Sequence, residues 1–241
     1  MPVTPAHTVA AWPLKKIAPA LPLSALVIGT MSPDYEYFIR LAPIARVAHQ
    51  PAGVVFFCLP VSMLAWVVFR RLVRPALVDL FPPGLARALG SPSTSWPLAL
   101  AAAALGAVSH VAWDGFTHQN DWAVRALPAL RTQPLPDLVP LPWYKLLQHA
   151  SSAVGLILLA SWVAAWIRAT PPEARAWAPG QRRRTVRVVS TILGVSAACG
   201  VADSLMGSSS VLQVAVGRAA VGAMVGCCLS VLVYALMRVR A

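Results

Sequence analysis

The chain has 241 residues, of which 58% are hydrophobic and 12% charged. A soluble domain carries about 25% charged residues, so a water-facing exterior is excluded and a lipid-facing one expected. The net charge of +12 would suggest nucleic acid on a soluble protein. Here the cations flank apolar runs, so membrane lipids with anionic headgroups are the expected partner, and nucleic acid is not.

The opening residues, MPVTPAHTVAAWPLKK, place no charge ahead of an apolar run and do not read as a signal peptide. Ala18 to Ser32 is apolar, short and interrupted by prolines, which predicts a buried or re-entrant helix and not a crossing. Pro33 biases Ser32 away from helical geometry, so this helix is expected to stop there and present Asp34 at its end.

Five uncharged runs follow, each bordered by charge: Gly53–Phe69, Ala88–Ser109, Ala150–Ile167, Val188–Ala202 and Ala219–Met237. A crossing helix needs about 20 mainly apolar residues, and the fourth run is the shortest. The fold class predicted is an all-α polytopic helical bundle of five transmembrane helices plus the short N-terminal helix. It reads as one membrane domain, with residues 1–169 holding a site core, 170–187 a basic cytoplasmic loop, and 188–241 two C-terminal crossings.

The connections 70–87 and 168–187 and the C-terminus carry 12 Lys and Arg, and the opposite segments carry 8. The positive-inside tendency therefore puts the first set in the cytoplasm. The location expected is the cell inner membrane, with any site of the opposite loops on the extracytoplasmic side. Trp66, Trp96, Trp113 and Trp166 fall near span borders, as interfacial belts would have them. All four cysteines lie in apolar runs and read as small hydrophobes.

The five histidines, His7, His49, His110, His118 and His149, all fall on one side of this topology. The sharpest motif is His110-Val-Ala-Trp-Asp114-Gly-Phe-Thr-His118. Residues four apart on a helix share a face, so two imidazoles and a carboxylate form a stripe whose N and O donors suit zinc. Gly115 predicts an imperfect helix end, from which His118 reaches back. The bland alternatives are interfacial histidines and an aspartate that merely orients an imidazole. Asp34 reads either as a ligand or as a helix N-cap, and Glu36 as a surface acid or a general base. A haem held by His110 and His149 is a further alternative.

Thr4-Pro5-Ala6-His7, the run Leu21 to Asp34 ending Ser32-Pro33-Asp34, the set Ser109-His110-xxx-Asp114-xxx-His118 and Leu147-Gln148-His149 resemble an uncharacterised bacterial integral-membrane family, known only as a domain of unknown function. That family is similar to membrane-bound metal-dependent hydrolases and, more distantly, to the zinc-dependent phospholipase C and single-strand nuclease superfamily. The resemblance implies metal ligands at His7, Asp34, His49, His110, Asp114, His118 and His149. It implies one or two zinc ions, with manganese the alternative. A last carboxylate of the soluble enzymes would fall at Ala153, which cannot ligate, and Asp203 is a candidate substitute unless Arg218 pairs with it. The activity implied is hydrolysis of a phosphodiester or lipid-linked substrate at the membrane border, with Asp34 or Glu36 as base. A non-catalytic membrane protein with a structural metal site is the other reading.

Overall fold

The computed structural model describes residues 3–42, 44–86, 95–134, 139–206 and 212–239. The described residues are helical, with no strand among them. Among the described residues, five helical stretches are long and apolar enough to cross a membrane: Pro51–Leu80, Trp96–Ala126, Trp143–Ala169, Gln181–Leu205 and Arg218–Met237. Their outward faces keep large apolar side chains exposed, Ile157, Leu193, Leu205 and Leu229 among them. A soluble surface rarely tolerates so much contiguous apolar area, so the all-α polytopic reading holds.

In chain order the elements are α1 (Thr4–His7), α2 (Ala11–Ile17), α3 (Leu23–Met31), α4 (Tyr35–Arg40), α5 (spanning Pro51–Leu80), α6 (Trp96–Thr117), α7 (Trp122–Ala126), α8 (Trp143–Ala169), α9 (Gln181–Met206) and α10 (Leu212–Val239). Contacts divide the chain into two compact units that interleave along the sequence. Unit 1 is Met1–Pro33, Val47–Met63 and Thr94–Ile167; unit 2 is Asp34–Arg46, Leu64–Ser93 and Arg168–Ala241.

Unit 1 is built on the pairing of α3 with α6. Along α6, Ala99, Ala102, Ala103, Gly106, Ala107, His110 and Asp114 are buried, a small-residue stripe that turns polar toward its C-terminal end. Glycine is required at Gly106: a Cβ there would stand 2.6 Å from the Leu26 carbonyl oxygen and 2.7 Å from the Thr30 nitrogen. Membrane helices gain close van der Waals contact through such small residues. Ser95 and Pro97 start α6, as proline suits a first turn whose N–H groups are unpaired anyway. The short N-terminal helices run along α8: Val3 donates its backbone N–H to Ser152 Oγ at 3.1 Å. A Cβ on Gly155 would stand 2.9 Å from that of Ala6, and the Trp12 and Trp162 rings stack with centroids 6.1 Å apart.

Unit 2 contains α4, the second half of α5, α9 and α10. Its α9–α10 hairpin packs closely at Gly200, where a Cβ would meet the Ala219 carbonyl oxygen at 2.7 Å. The start of α9 caps the end of α5. Gln181 Nε2 donates to the Asp79 and Phe81 carbonyls at 3.0 and 3.2 Å, and Arg184 Nη2 to Asp79 at 2.7 Å.

Several expected boundaries shift. The helix that carries the first crossing continues past Arg70-Arg71 to Leu80; charge marks where apolar surroundings end and says little about where backbone hydrogen bonding ends. Two π-helical turns, Val54–Cys58 and Phe69–Val73, interrupt it. Each lies just before a proline, Pro60 or Pro75, whose ring would clash with the carbonyl four residues back in a regular turn. The second crossing begins at Trp96 and continues to Thr117, well past Ser109. Residues 88–94 of the expected run, with Arg87 and Arg240, lie outside the described residues. The fourth crossing is longer than expected and starts among its arginines at Gln181. Trp66 is not a belt residue: it is buried, with the Arg70 guanidinium 4.5 Å over its ring.

Candidate metal centre

Asp114 is the hub of unit 1. Its side chain is 2% exposed, and four imidazoles surround it, three of them with a nitrogen within 3.4 Å. His7 Nε2 lies 3.4 Å from Oδ1, while His49 Nε2 and His110 Nε2 each lie 3.3 Å from Oδ2. These separations exceed the 2.7–3.2 Å of a good N–H···O bond, and among the described residues no hydrogen bond reaches either oxygen. A buried carboxylate left this way is costly, and a shared cation would relieve it.

The helices explain how residues this far apart in sequence meet. His110 and Asp114 are one turn apart on the buried stripe of α6. The close contact at Gly106 brings the end of α3 against His110, whose Nδ1–H donates to the Thr30 carbonyl at 2.7 Å. A carbonyl can only accept, so the proton sits on Nδ1 and the Nε2 lone pair faces Asp114. Metal-binding histidines are commonly oriented this way. His49 precedes α5, beside a small apolar cluster of Ala48, Val54, Cys58 and Ala107. His7 ends α1, which α8 holds through Ser152 and Gly155. Its ring stacks on that of His110 with centroids 3.7 Å apart. Burial, then the neighbouring His110, lowers the His7 pKa from 6.5 to about 3. The imidazole is therefore neutral at physiological pH, the state a metal ligand requires.

The division between units falls inside a single 3-10 turn, Ser32–Asp34, so Asp34 is described with the helix end that carries it. It is fully buried. It occupies the N-cap position of α4 yet makes no side-chain capping bond, which removes the capping alternative. Asp34, His49, His110 and Asp114 each offer one ligand atom, and these atoms all lie within 4.8 Å of one another. This group could hold a metal ion.

His118 follows the last turn of α6 in extended geometry and reaches back as expected. Its Nδ1 lies 3.1 Å from the Asp114 backbone carbonyl and 3.7 Å from Asp114 Oδ2, and its side chain is 27% exposed. The helix runs on through Gly115 to Thr117, and a Cβ at Gly115 would strike the Trp122 ring, 2.6 Å from Cε2.

Three expected residues stand apart. His149 is exposed on α8, while its neighbour Gln148 is buried. The inward face of α8 is Tyr144, Gln148 and Gly155, and adjacent helical residues point about 100° apart. The structure therefore does not bring His149 into the group. A haem between His110 and His149 is not supported either, since both His110 nitrogens face other groups. Glu36 is 2% exposed and is no surface acid. Its Oε1 accepts from Arg40 Nε at 2.7 Å and from the Arg46 backbone N–H at 3.0 Å, a task that does not leave it poised as a base. Asp203 pairs with Arg218 at 2.9 Å and is no substitute ligand.

Sequence reasoning missed Thr30, Gly106, Ser152 and Gly155, which position His7 and His110. Small residues at four-residue spacing ahead of His110 were the available signal.

A family model described as Domain of unknown function (DUF4184) matches residues 1–236. No curated protein and no solved structure matches the chain.

Proposed function

The chain belongs to this domain-of-unknown-function family, and we propose that it is a metal-dependent hydrolase embedded in the membrane, acting on a phosphodiester or lipid-linked substrate. The observation that carries the reading is the Asp114 carboxylate with three imidazole nitrogens at 3.3–3.4 Å. Ligand atoms about 2.0–2.1 Å from a tetrahedral zinc stand roughly 3.3 Å from each other, the separation of His49 Nε2 and His110 Nε2 from Asp114 Oδ2; the whole group with Asp34 lies within 4.8 Å. The donor set of imidazole nitrogen and carboxylate oxygen also suits zinc better than magnesium or calcium, and manganese is the runner-up.

In this reading His49, His110, Asp34 and Asp114 hold the ion, and His7 completes the ring on the Oδ1 side of Asp114. A divalent ion supplies a Lewis acid and lowers the pKa of bound water toward ~7. Thr30 holds the His110 ring so that Nε2 stays aimed at the site. His49 and His118, with side chains 14% and 27% exposed, mark the side from which substrate enters. In the reaction a water oxygen forms a bond to phosphorus, the bond from phosphorus to the leaving alcohol oxygen breaks, and that oxygen takes up a proton. His118, at the rim with its Nδ1–H tied to a backbone carbonyl, presents the Nε2 lone pair, which would take the proton the water gives up and pass it to the leaving oxygen. The loop charges support an inner-membrane protein whose site faces the extracytoplasmic side.

The test is hydrolysis of a long-chain phosphodiester lipid by detergent-purified protein, before and after chelation. Turnover lost on chelation, restored by zinc and absent in Asp114→Ala supports the reading. A protein that loses thermal stability on chelation but never shows turnover would be a structural metal protein, a reading favoured by the burial of Asp34, His110 and Asp114.

A further inference from the structure

Beside His7 and His110 lies a cavity of about 460 Å³, walled by α1 and its 3-10 continuation, α6 and α8 of unit 1. Ligand sites typically enclose about 300–1,000 Å³. From α8 the lining recurs at Leu147, Ser151, Val154 and Leu158, steps of four, three and four that keep to one helix face. At 1.5 Å per residue this stripe is about 16 Å long, close to the roughly 15 Å hydrocarbon depth of one leaflet.

The walls offer little to a polar molecule. Ser109 Oγ donates to the Gly106 carbonyl at 2.7 Å and Ser151 Oγ to the Gln148 carbonyl at 3.2 Å, so both hydroxyl protons are spent on their own helices. The polar part of the wall is the stacked pair of His7 and His110. Val154 and Leu158 are 52% and 48% exposed within a membrane-spanning stretch, so the cavity opens sideways onto hydrocarbon.

We propose that this cavity is a groove for one acyl chain of a bilayer lipid, whose polar junction meets His7 and His110 at the candidate metal centre. Naming that lipid as the substrate rests on the hydrolase reading; occupancy of the groove does not. A chain lying along α8 buries its methylenes at about 0.8 kcal/mol each relative to water, whereas a water-soluble diester would leave the same walls unfilled.

The experiment reconstitutes the full chain in vesicles of phosphatidylethanolamine and phosphatidylglycerol containing a trace of phosphatidylglycerol with a mid-chain diazirine. After photolysis, labelled peptides are mapped. Labelling several-fold denser on Trp113, Val154 and Leu158 than on Leu193 and Leu229, which are lipid-facing residues of α9 and α10, is expected. Val154→Trp and Leu158→Trp, both at half-exposed positions, should each reduce labelling of the remaining groove residues while keeping the parental metal content, which reports an intact fold. Even labelling of all lipid-facing helices, or labelling unmoved by either tryptophan, overturns the groove. Asp114→Ala separates the two ideas: groove labelling retained with turnover lost supports both, while labelling with no turnover in the parent keeps the groove and removes the hydrolase. Equal parental turnover of a long-chain lipid and a water-soluble diester overturns the groove's role in substrate choice.

Discussion

Two buried aspartates, Asp203 on α9 of unit 2 and Asp114 on α6 of unit 1, are solved differently. In unit 2, Asp203 has a guanidinium: Arg218 Nη2 reaches Oδ1 at 2.9 Å, and Arg218 Nε donates to the Asp203 carbonyl at 3.0 Å. Such a charge-assisted pair offsets the carboxylate's charge, although Oδ2 accepts no hydrogen bond among the described residues. In unit 1, Asp114 meets three imidazole nitrogens at distances too long for good hydrogen bonds. Imidazole can be neutral, and His7 is held neutral by burial, so it does not offset the carboxylate as arginine does. A buried acid beside arginine stabilises a hairpin, whereas a buried acid ringed by neutral imidazoles is suited to a cation from outside.

The largest expected effect separates these two acids directly. Asp114→Ala should abolish metal binding, and Asp203→Asn should leave it unchanged while modestly lowering thermal stability, because it leaves a half-buried guanidinium poorly paired. Next comes the contact that aims His110. Gly106→Ala forces α3 and α6 apart where a Cβ would stand 2.6 Å from a carbonyl oxygen. Overpacking of this kind costs about 1–3 kcal/mol, and metal affinity measured by competition with a chelating dye should fall with it. Retained affinity would detach Thr30 from the site.

A pH titration sharpens the same comparison. The His7 pKa in the fold is about 3, below its ordinary 6.5. A depressed pKa means the unfolded chain binds the proton first. The stability tied to a neutral His7 is therefore complete above about pH 6.5 and lost as pH falls from there toward 3. Melting of chelator-treated protein should show that decline, and His7→Gln should flatten it. An unchanged slope would contradict the buried, neutral assignment. The smallest effect belongs to His149, exposed on α8. His149→Ala should shift stability by no more than about 0.5 kcal/mol and leave metal content intact.

The spans were legible because lipid contact is written in composition: runs without charge must be clothed by something other than water. Their ends were less so, since Arg70 and Arg71 mark a polar boundary inside a helix that continues to Leu80. The buried His110–Asp114 stripe of α6 could be read from four-residue spacing alone. His149 misled because Leu147-Gln148-His149 does not reveal which residue turns inward; the helix phase set by Tyr144 and Gly155 decides it. Glu36 misled because its partner Arg46 is ten residues away and uses a backbone N–H. Thr30 was hidden for a similar reason: its carbonyl, and no part of its side chain, holds His110.

The most direct measurement is metal content of detergent-purified protein by elemental mass spectrometry, for the parent, Asp114→Ala and Asp203→Asn prepared side by side. The account predicts at least one equivalent of zinc or manganese in the parent and in Asp203→Asn, and none in Asp114→Ala. The same content in all three, or a parent that refuses metal at neutral pH, would contradict it.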